Sequence, residues 1–209
     1  MQADGIIFDL DGTLWDSCRA VSESWQQTVR RLGDTGRVIT EDEIRSIMGM
    51  TAEEIAGKLF RDYGGAAMEI CRACLRDECV YLSRHGGTVY PGVGDVLKRL
   101  SASASLFIVS NCQDGYIECF LDCSGFGPYF RGFLHPGATG LDKAGNIRLT
   151  IDRYGLTSPV YVGDTEMDAA AARKARCPFI HAAYGFGSVA GGVPAIRSPL
   201  ELERTINMM

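Results

Sequence analysis

The sequence predicts an α/β protein: a doubly wound parallel sheet with an all-helical insert after its first strand. Three observations predict it. Apolar runs at Gly5–Phe8, Ser105–Val109 and Val160–Val162 have the length of buried strands, and polar residues follow each of them. From Val89 onward such runs alternate with helical text, as expected of parallel strands covered on both faces. Between the first and second run, residues 15–88 carry helical spacing and no convincing strand. The expected division is residues 1–14 and 89–209 as an α/β core, with 15–88 as a helical insert.

Taken in order, Gly5–Phe8 is the first strand, ending at Asp9. Residues 16–32 place Cys18, Val21, Trp25, Val29 and Leu32 on one helical stripe, which Gly33 to Gly36 breaks. Thr40 with Glu43, and Thr51 with Glu54, have capping-box spacing and open two further helices. Gly64-Gly65 is a turn, and a long helix spans about Ala66 to Arg84. Beyond Val89-Tyr90-Pro91-Gly92 the expected order is helix 93–101, strand 105–110, helix 115–124, strand 130–134, helix 146–154, strand 160–162, helix 167–176 and strand 179–182. A last helix starts near Pro199, and Gly185-Phe186-Gly187 marks a late loop with no assigned role.

Composition narrows the function. Apolar residues make up 46% and charged residues 22%, an ordinary globular balance. The net charge of −5 argues against nucleic-acid partners, which need a basic stripe. No apolar run approaches the roughly 20 residues of a membrane span. Met1 to Gly5 shows no basic region, so no signal peptide is visible and a cytoplasmic protein is expected. The eight cysteines are expected to be reduced. Cys71-x-x-Cys74 has half the spacing of a zinc site, but no second pair follows and both positions fall in a helix, so they read as small buried hydrophobes.

In open α/β sheets, ligands bind beyond the carboxyl ends of the strands. The residues there are Asp9-Leu10-Asp11-Gly12-Thr13, Ser110-Asn111, and Gly163-Asp164 through Asp168, with Asp142-Lys143 ahead of a helix. Each has a bland reading: a turn-forming or capping Asp, a capping Ser, a solvated Lys. Together they bring several carboxylates, one ammonium and two hydroxyls to one edge. Crowded carboxylates need a cation, and an oxygen-rich site suits Mg²⁺.

These four segments closely resemble the four motifs of the haloacid dehalogenase superfamily of phosphohydrolases, in the same order along the chain. The insert resembles the cap of the subgroup that includes phosphoglycolate phosphatases and β-phosphoglucomutases. The resemblance implies a Rossmann-like core and a small phosphorylated metabolite as substrate. It also implies roles for residues. Asp9 would be the nucleophile that forms an aspartyl-phosphate, and Asp11 the acid and base. Gly12, Ser110, Asn111 and Lys143 would hold phosphate, and Lys143 would also orient Asp9. The metal site would be Asp9, Asp164 and the backbone oxygen of Asp11, with Asp168 acting through metal-bound water or by holding Lys143. A second Asp at position 11 separates phosphatases from dehalogenases. Lys58 is the sole Lys between 15 and 88 and reads as surface, not as a Schiff-base residue. A phosphomutase would want Arg45 or Arg61 directed at a second phosphate. A catalytically silent protein of the same fold, and a phospho-accepting signalling receiver, are the alternatives from other classes. No Gly-x-Gly-x-x-Gly follows the first strand, against a nucleotide-dependent dehydrogenase. The oligomeric state is not legible.

Overall fold

The computed structural model describes residues 3–209; Met1 and Gln2, at the head of the expected core segment, lie outside the described residues. Strand β1 (Gly5–Phe8) is buried along its whole length. The chain then forms a two-residue strand, β2 (Trp15–Asp16), and four helices: α1 (Cys18–Arg31), α2 (Glu41–Arg45), α3 (Ala52–Leu59) and α4 (Ala67–His85). Both capping boxes form: Thr40 and Thr51 accept from the backbone N–H of Glu43 and Glu54, whose carboxylates cap in return. After β3 (Thr88–Val89) come α5 (Val93–Leu100), β4 (Ser105–Val109), α6 (Tyr116–Ser124) and β5 (Phe130–Leu134). The single turn α7 (Pro136–Thr139), α8 (Lys143–Tyr154), β6 (Pro159–Gly163), α9 (Glu166–Ala175), β7 (Phe179–Ala182), β8 (Ala195–Ile196) and α10 (Leu202–Met208) complete the chain.

Six strands pair in parallel in the order β5-β4-β1-β6-β7-β8. The chain winds outward from β1 through β4 to β5, then crosses back to β6 on the other side of β1. That reversal opens a crevice beyond β1, where open α/β sheets bind ligands. Phe8 sits in register with Ile108 and Val162, so the segments after β1, β4 and β6 leave the same edge. Alternate side chains serve two cores. Ile7, Phe107, Val109 and Tyr161 pack with Ile147 and Ile151 of α8 and Ala169 and Ala172 of α9. Ile6, Phe8, Leu106, Ile108 and Val162 join a larger apolar cluster with α5, α6 and α10. That cluster runs without a break into the helical segment through Leu14, Trp15, Val21 and Trp25. α4 packs against both α1 and α6.

Two local expectations need correction. Residues 15–88 are not all helix: Trp15 pairs antiparallel with Val89 and Asp16 with Thr88. A strand of two residues carries no periodicity to read. Gly87 makes the pairing feasible, since a Cβ there would stand 2.7 Å from the Trp15 ring. Helix α8 begins at Lys143 and not at Asn146, because the Asp142 side chain accepts from Gly145 N and starts it earlier. β8 is an additional strand with no local signal, its two residues standing just after the turn-like Gly191-Gly192. All eight cysteines are free thiols, and Cys71 and Cys74 pack inside the large apolar cluster. Among the described residues, no helix is long and apolar enough to cross a membrane.

Candidate active site

The crevice beyond β1 gathers the acidic residues. Asp9, Asp164 and Asp168 bring carboxylate oxygens within 4.8 Å of one another. Asp9 is 4% exposed, and Asp164 and Asp168 are 0% exposed. Lys143 Nζ enters this cluster from the first turn of α8, donating to Asp9 Oδ1 at 2.9 Å and Asp168 Oδ1 at 2.7 Å. Asp168 is fully engaged. Its Oδ2 accepts from Thr165 N and Oγ1, which caps α9, and its Oδ1 also accepts from the Tyr161 hydroxyl at 3.2 Å. Helix capping and the grip on Lys143 are thus joint duties of one residue.

One ammonium does not balance three buried carboxylates. Burial, then the neighbouring Asp9 and Asp168, push the Asp164 carboxyl up to about 8. Burial also drives Asp9 upward against the pull of Lys143. Asp168 goes the other way: it is buried too, but Lys143 and the Thr165 donors hold it below the usual carboxylate range. Asp164 Oδ1 is buried without a hydrogen-bond partner, while its Oδ2 accepts from Phe186 N at 2.7 Å. Uncompensated charge, an orphaned buried oxygen and an all-oxygen donor set fit a hard divalent cation held by Asp9 and Asp164.

Asp11 lies apart from this cluster. Its Oδ1 accepts from Ser17 Oγ at 2.7 Å and from the Tyr116 hydroxyl at 2.9 Å. Burial outweighs those donors and raises the carboxyl to about 6, close to where a proton can be given and taken at neutral pH. Gly12 is not a free donor, since its N–H is used by the Trp15 carbonyl at 2.9 Å. Its contribution is space: φ is +79°, and a Cβ there would collide with the Asp164 carboxylate. Ser110 is buried at the end of β4. The Asn111 side chain reaches the helical segment, donating to the Gly49 carbonyl at 2.9 Å.

Asp9, Asp11, Ser110 and Asn111 open into one cavity of about 360 Å³. Its far wall comes from the helical segment and includes Trp25, Ile47, Met50 and Leu75. Glu78 stands in that wall, accepting from the Trp25 indole N–H and the Gln113 amide. Burial pushes its carboxyl up to about 8. The folded state therefore binds this proton more tightly than the unfolded chain, so stability falls as pH rises from about 4.5 to about 8. Glu78→Gln is expected to remove that slope. Over this range, native stability should drop by about 4 kcal/mol more than that of the variant, measured by denaturant unfolding at each pH. Parallel slopes would refute it.

Several site residues were invisible in the sequence. Ser17 and Tyr116 are 6 and 105 residues from Asp11, and Trp25 and Gln113 are 53 and 35 residues from Glu78. Gly185-Phe186-Gly187 had left a signal: the loop wraps Asp164, and a Cβ at Gly185 would collide with the Asp164 side chain.

The family model for haloacid dehalogenase-like hydrolases matches residues 6–182. The chain belongs to that family. This hydrolase is 28% identical to a phosphoglycolate phosphatase of Vibrio vulnificus over 193 residues, covering 87% of the chain and 84% of the relative. It is 29% identical to the phosphoglycolate phosphatase of Rhodobacter capsulatus over 196 residues, covering 88% and 86%. Its fold resembles a haloacid dehalogenase-like hydrolase of Streptococcus pneumoniae (TM-score 0.79, 23% identity, 97% and 98% covered). It also resembles CbbY of Rhodobacter sphaeroides, solved with xylulose-(1,5)bisphosphate (TM-score 0.79, 19% identity, 96% of each chain). The expected superfamily, α/β fold and enzyme class stand: the chain is a hydrolase whose curated relatives are phosphatases.

Proposed function

We propose that this hydrolase is a Mg²⁺-dependent phosphatase that hydrolyses a small phosphomonoester through an aspartyl-phosphate on Asp9. The observation that carries the reading is that Asp9, which meets Lys143 and Asp164, also lines a cavity together with Asp11. Asp9, Asp164 and the backbone oxygen of Asp11 would hold Mg²⁺, whose chemistry is to shield the anionic nucleophile from the phosphate and to stabilise charge on the transferring oxygens. Lys143 fixes the Asp9 carboxylate and neutralises phosphate charge, and Asp168 positions Lys143. Ser110 Oγ and the Asn111 N–H hold phosphate oxygens. A carboxylate oxygen of Asp9 forms the bond to phosphorus as the ester P–O bond breaks, and Asp11 gives its proton to the departing alkoxide. Asp11 then takes a proton from a water that attacks phosphorus, and the bond to Asp9 breaks.

In this reading residues 15–88 act as a cap over a core of 1–14 and 89–209, crossing at the β2–β3 ribbon, and closure excludes water during attack. A cytoplasmic location is part of the proposal, on the strength of eight free thiols. A phosphomutase is disfavoured. Neither Arg45 nor Arg61 lines the cavity, and Arg45 is bound to Asp16 and Glu41 and stacked on Phe186. The test is release of inorganic phosphate from a panel of small phosphomonoesters, phosphoglycolate included, with Mg²⁺ present. Excess chelator should lower the rate by about 100-fold or more, and added Mg²⁺ should restore it. Phosphate release that survives chelation would refute the metal role, and no release from any ester would favour a silent protein of this fold.

A further inference from the structure

The cavity that receives the organic part of the substrate has an unusual charge balance. Among the described residues, no Lys, Arg or His lines it. Lys143 is not in the lining: its Nζ is bound to Asp9 and Asp168, at the phosphate end. The cations of α2 and α3 point elsewhere: Arg45 is held by Asp16 and Glu41, and Lys58 Nζ donates to the Ser46 carbonyl at 2.6 Å. Beyond the phosphate end the wall is largely apolar, with Trp25, Ile47, Met50, Ile55 and Leu75; Thr51, Gln113 and the exposed Glu53 also line it, and its buried carboxyl is that of Glu78.

We infer that this enzyme acts on phosphate esters of uncharged, largely apolar alcohols, and that it rejects esters whose alcohol carries a carboxylate or a second phosphate. The inference rests on the phosphatase reading and deepens it. It separates this chain from the substrate named for its curated relatives, since phosphoglycolate carries a carboxylate one carbon from the ester oxygen. In this cavity that carboxylate would lose its water, find no cation and face the carboxyl of Glu78. A buried charge without a partner is strongly disfavoured, whereas a propyl group of the same length gains contact with Ile47, Met50 and Leu75. Glu78 has both oxygens engaged by Trp25 and Gln113, so it forms part of the wall and is not an open anchor for an ammonium group.

The experiment compares three esters of similar size on the Mg²⁺-loaded enzyme: phosphoglycolate, n-propyl phosphate and 2-aminoethyl phosphate. The expected kcat/KM for n-propyl phosphate is about 100-fold above that for phosphoglycolate and also exceeds that for the aminoethyl ester. Equal or better turnover of phosphoglycolate overturns the inference, and so does preference for the aminoethyl ester. Met50→Lys, at a half-buried position of the wall, should shift the propyl-to-glycolate ratio by about tenfold toward the carboxylate ester. An unmoved ratio would mean that the organic group lies elsewhere. A binding arm separates this inference from the phosphatase reading. If no ester is hydrolysed, that reading fails by itself, and calorimetric titration with butylphosphonate and 3-phosphonopropionate decides the cavity's selectivity. Tighter binding of butylphosphonate, by about tenfold or more, upholds the inference. Equal binding, tighter binding of the carboxylate compound, or binding of neither overturns it.

Discussion

Asp9→Asn is expected to lower phosphate release by about 10⁴-fold or more while the protein stays folded. The substitution is nearly isosteric and removes the anionic oxygen that would attack phosphorus. An amide oxygen is a poor nucleophile, and no neighbouring carboxylate can replace it. Asp11 is held by Ser17 and Tyr116, Asp168 is committed to Lys143, Tyr161 and Thr165, and Asp164 would be taken up by the metal. Stability should not fall, because one of three crowded buried acids has become neutral while Lys143 keeps Asp168. Steady-state phosphate release and thermal unfolding on the same preparation check both halves. A well-folded variant that retained more than about one part in a hundred of the activity would remove Asp9 from the nucleophile's role.

Lys143→Met should weaken both fold and chemistry. The ammonium is 5% exposed and lies 2.9 Å from Asp9 and 2.7 Å from Asp168. Removing one partner of a buried ion pair leaves charge uncompensated, at a cost of about 3 kcal/mol or more. For a chain of this length that lowers Tm by about 10 °C. The pH dependence should carry the signature of the missing cation. Asp168 is normally held low by Lys143, so its contribution is present above the unfolded carboxyl pKa and lost as pH falls. Without the ammonium, burial loses its main opponent and the folded pKa values of Asp9 and Asp168 rise. The folded variant then binds protons more tightly than the unfolded chain, so its stability should increase as pH falls from about 7 to about 5. Added Mg²⁺ should recover part of the lost Tm, and phosphate release should remain at least about 10³-fold down. A variant with native Tm and no acid stabilisation would show that the cluster does not depend on this charge.

Much of the fold was legible because its signals are local. Gly5–Phe8, Ser105–Val109 and Val160–Val162 are apolar on both faces of the sheet, so contiguous hydrophobicity marks them. Thr40 and Thr51 announce their helices three residues ahead of Glu43 and Glu54. The acidic and cationic residues were legible for a related reason: strand ends are where an open sheet exposes its ligand edge, and the order of Asp9, Ser110, Lys143 and Asp164 can be read in one pass. The β2–β3 ribbon was not, since two residues have no period and the pairing depends on Gly87 passing the Trp15 ring.

What the amino-acid order alone determined was the superfamily, the parallel α/β sheet and the positions that bring carboxylates, an ammonium and hydroxyls to its edge. Those properties follow from short-range patterns whose meaning does not depend on the rest of the chain. Only the tertiary structure decided which groups meet. It closed the donors Ser17 and Tyr116 on Asp11, divided Asp168 between a helix cap and Lys143, and wrapped the Gly185–Gly187 loop around Asp164. It also placed Glu78 in an apolar wall with no cation beside it. The reason is physical: hydrogen bonding and desolvation act over a few ångströms in space, and the partners that set the charge and selectivity of this site are tens of residues apart in the chain.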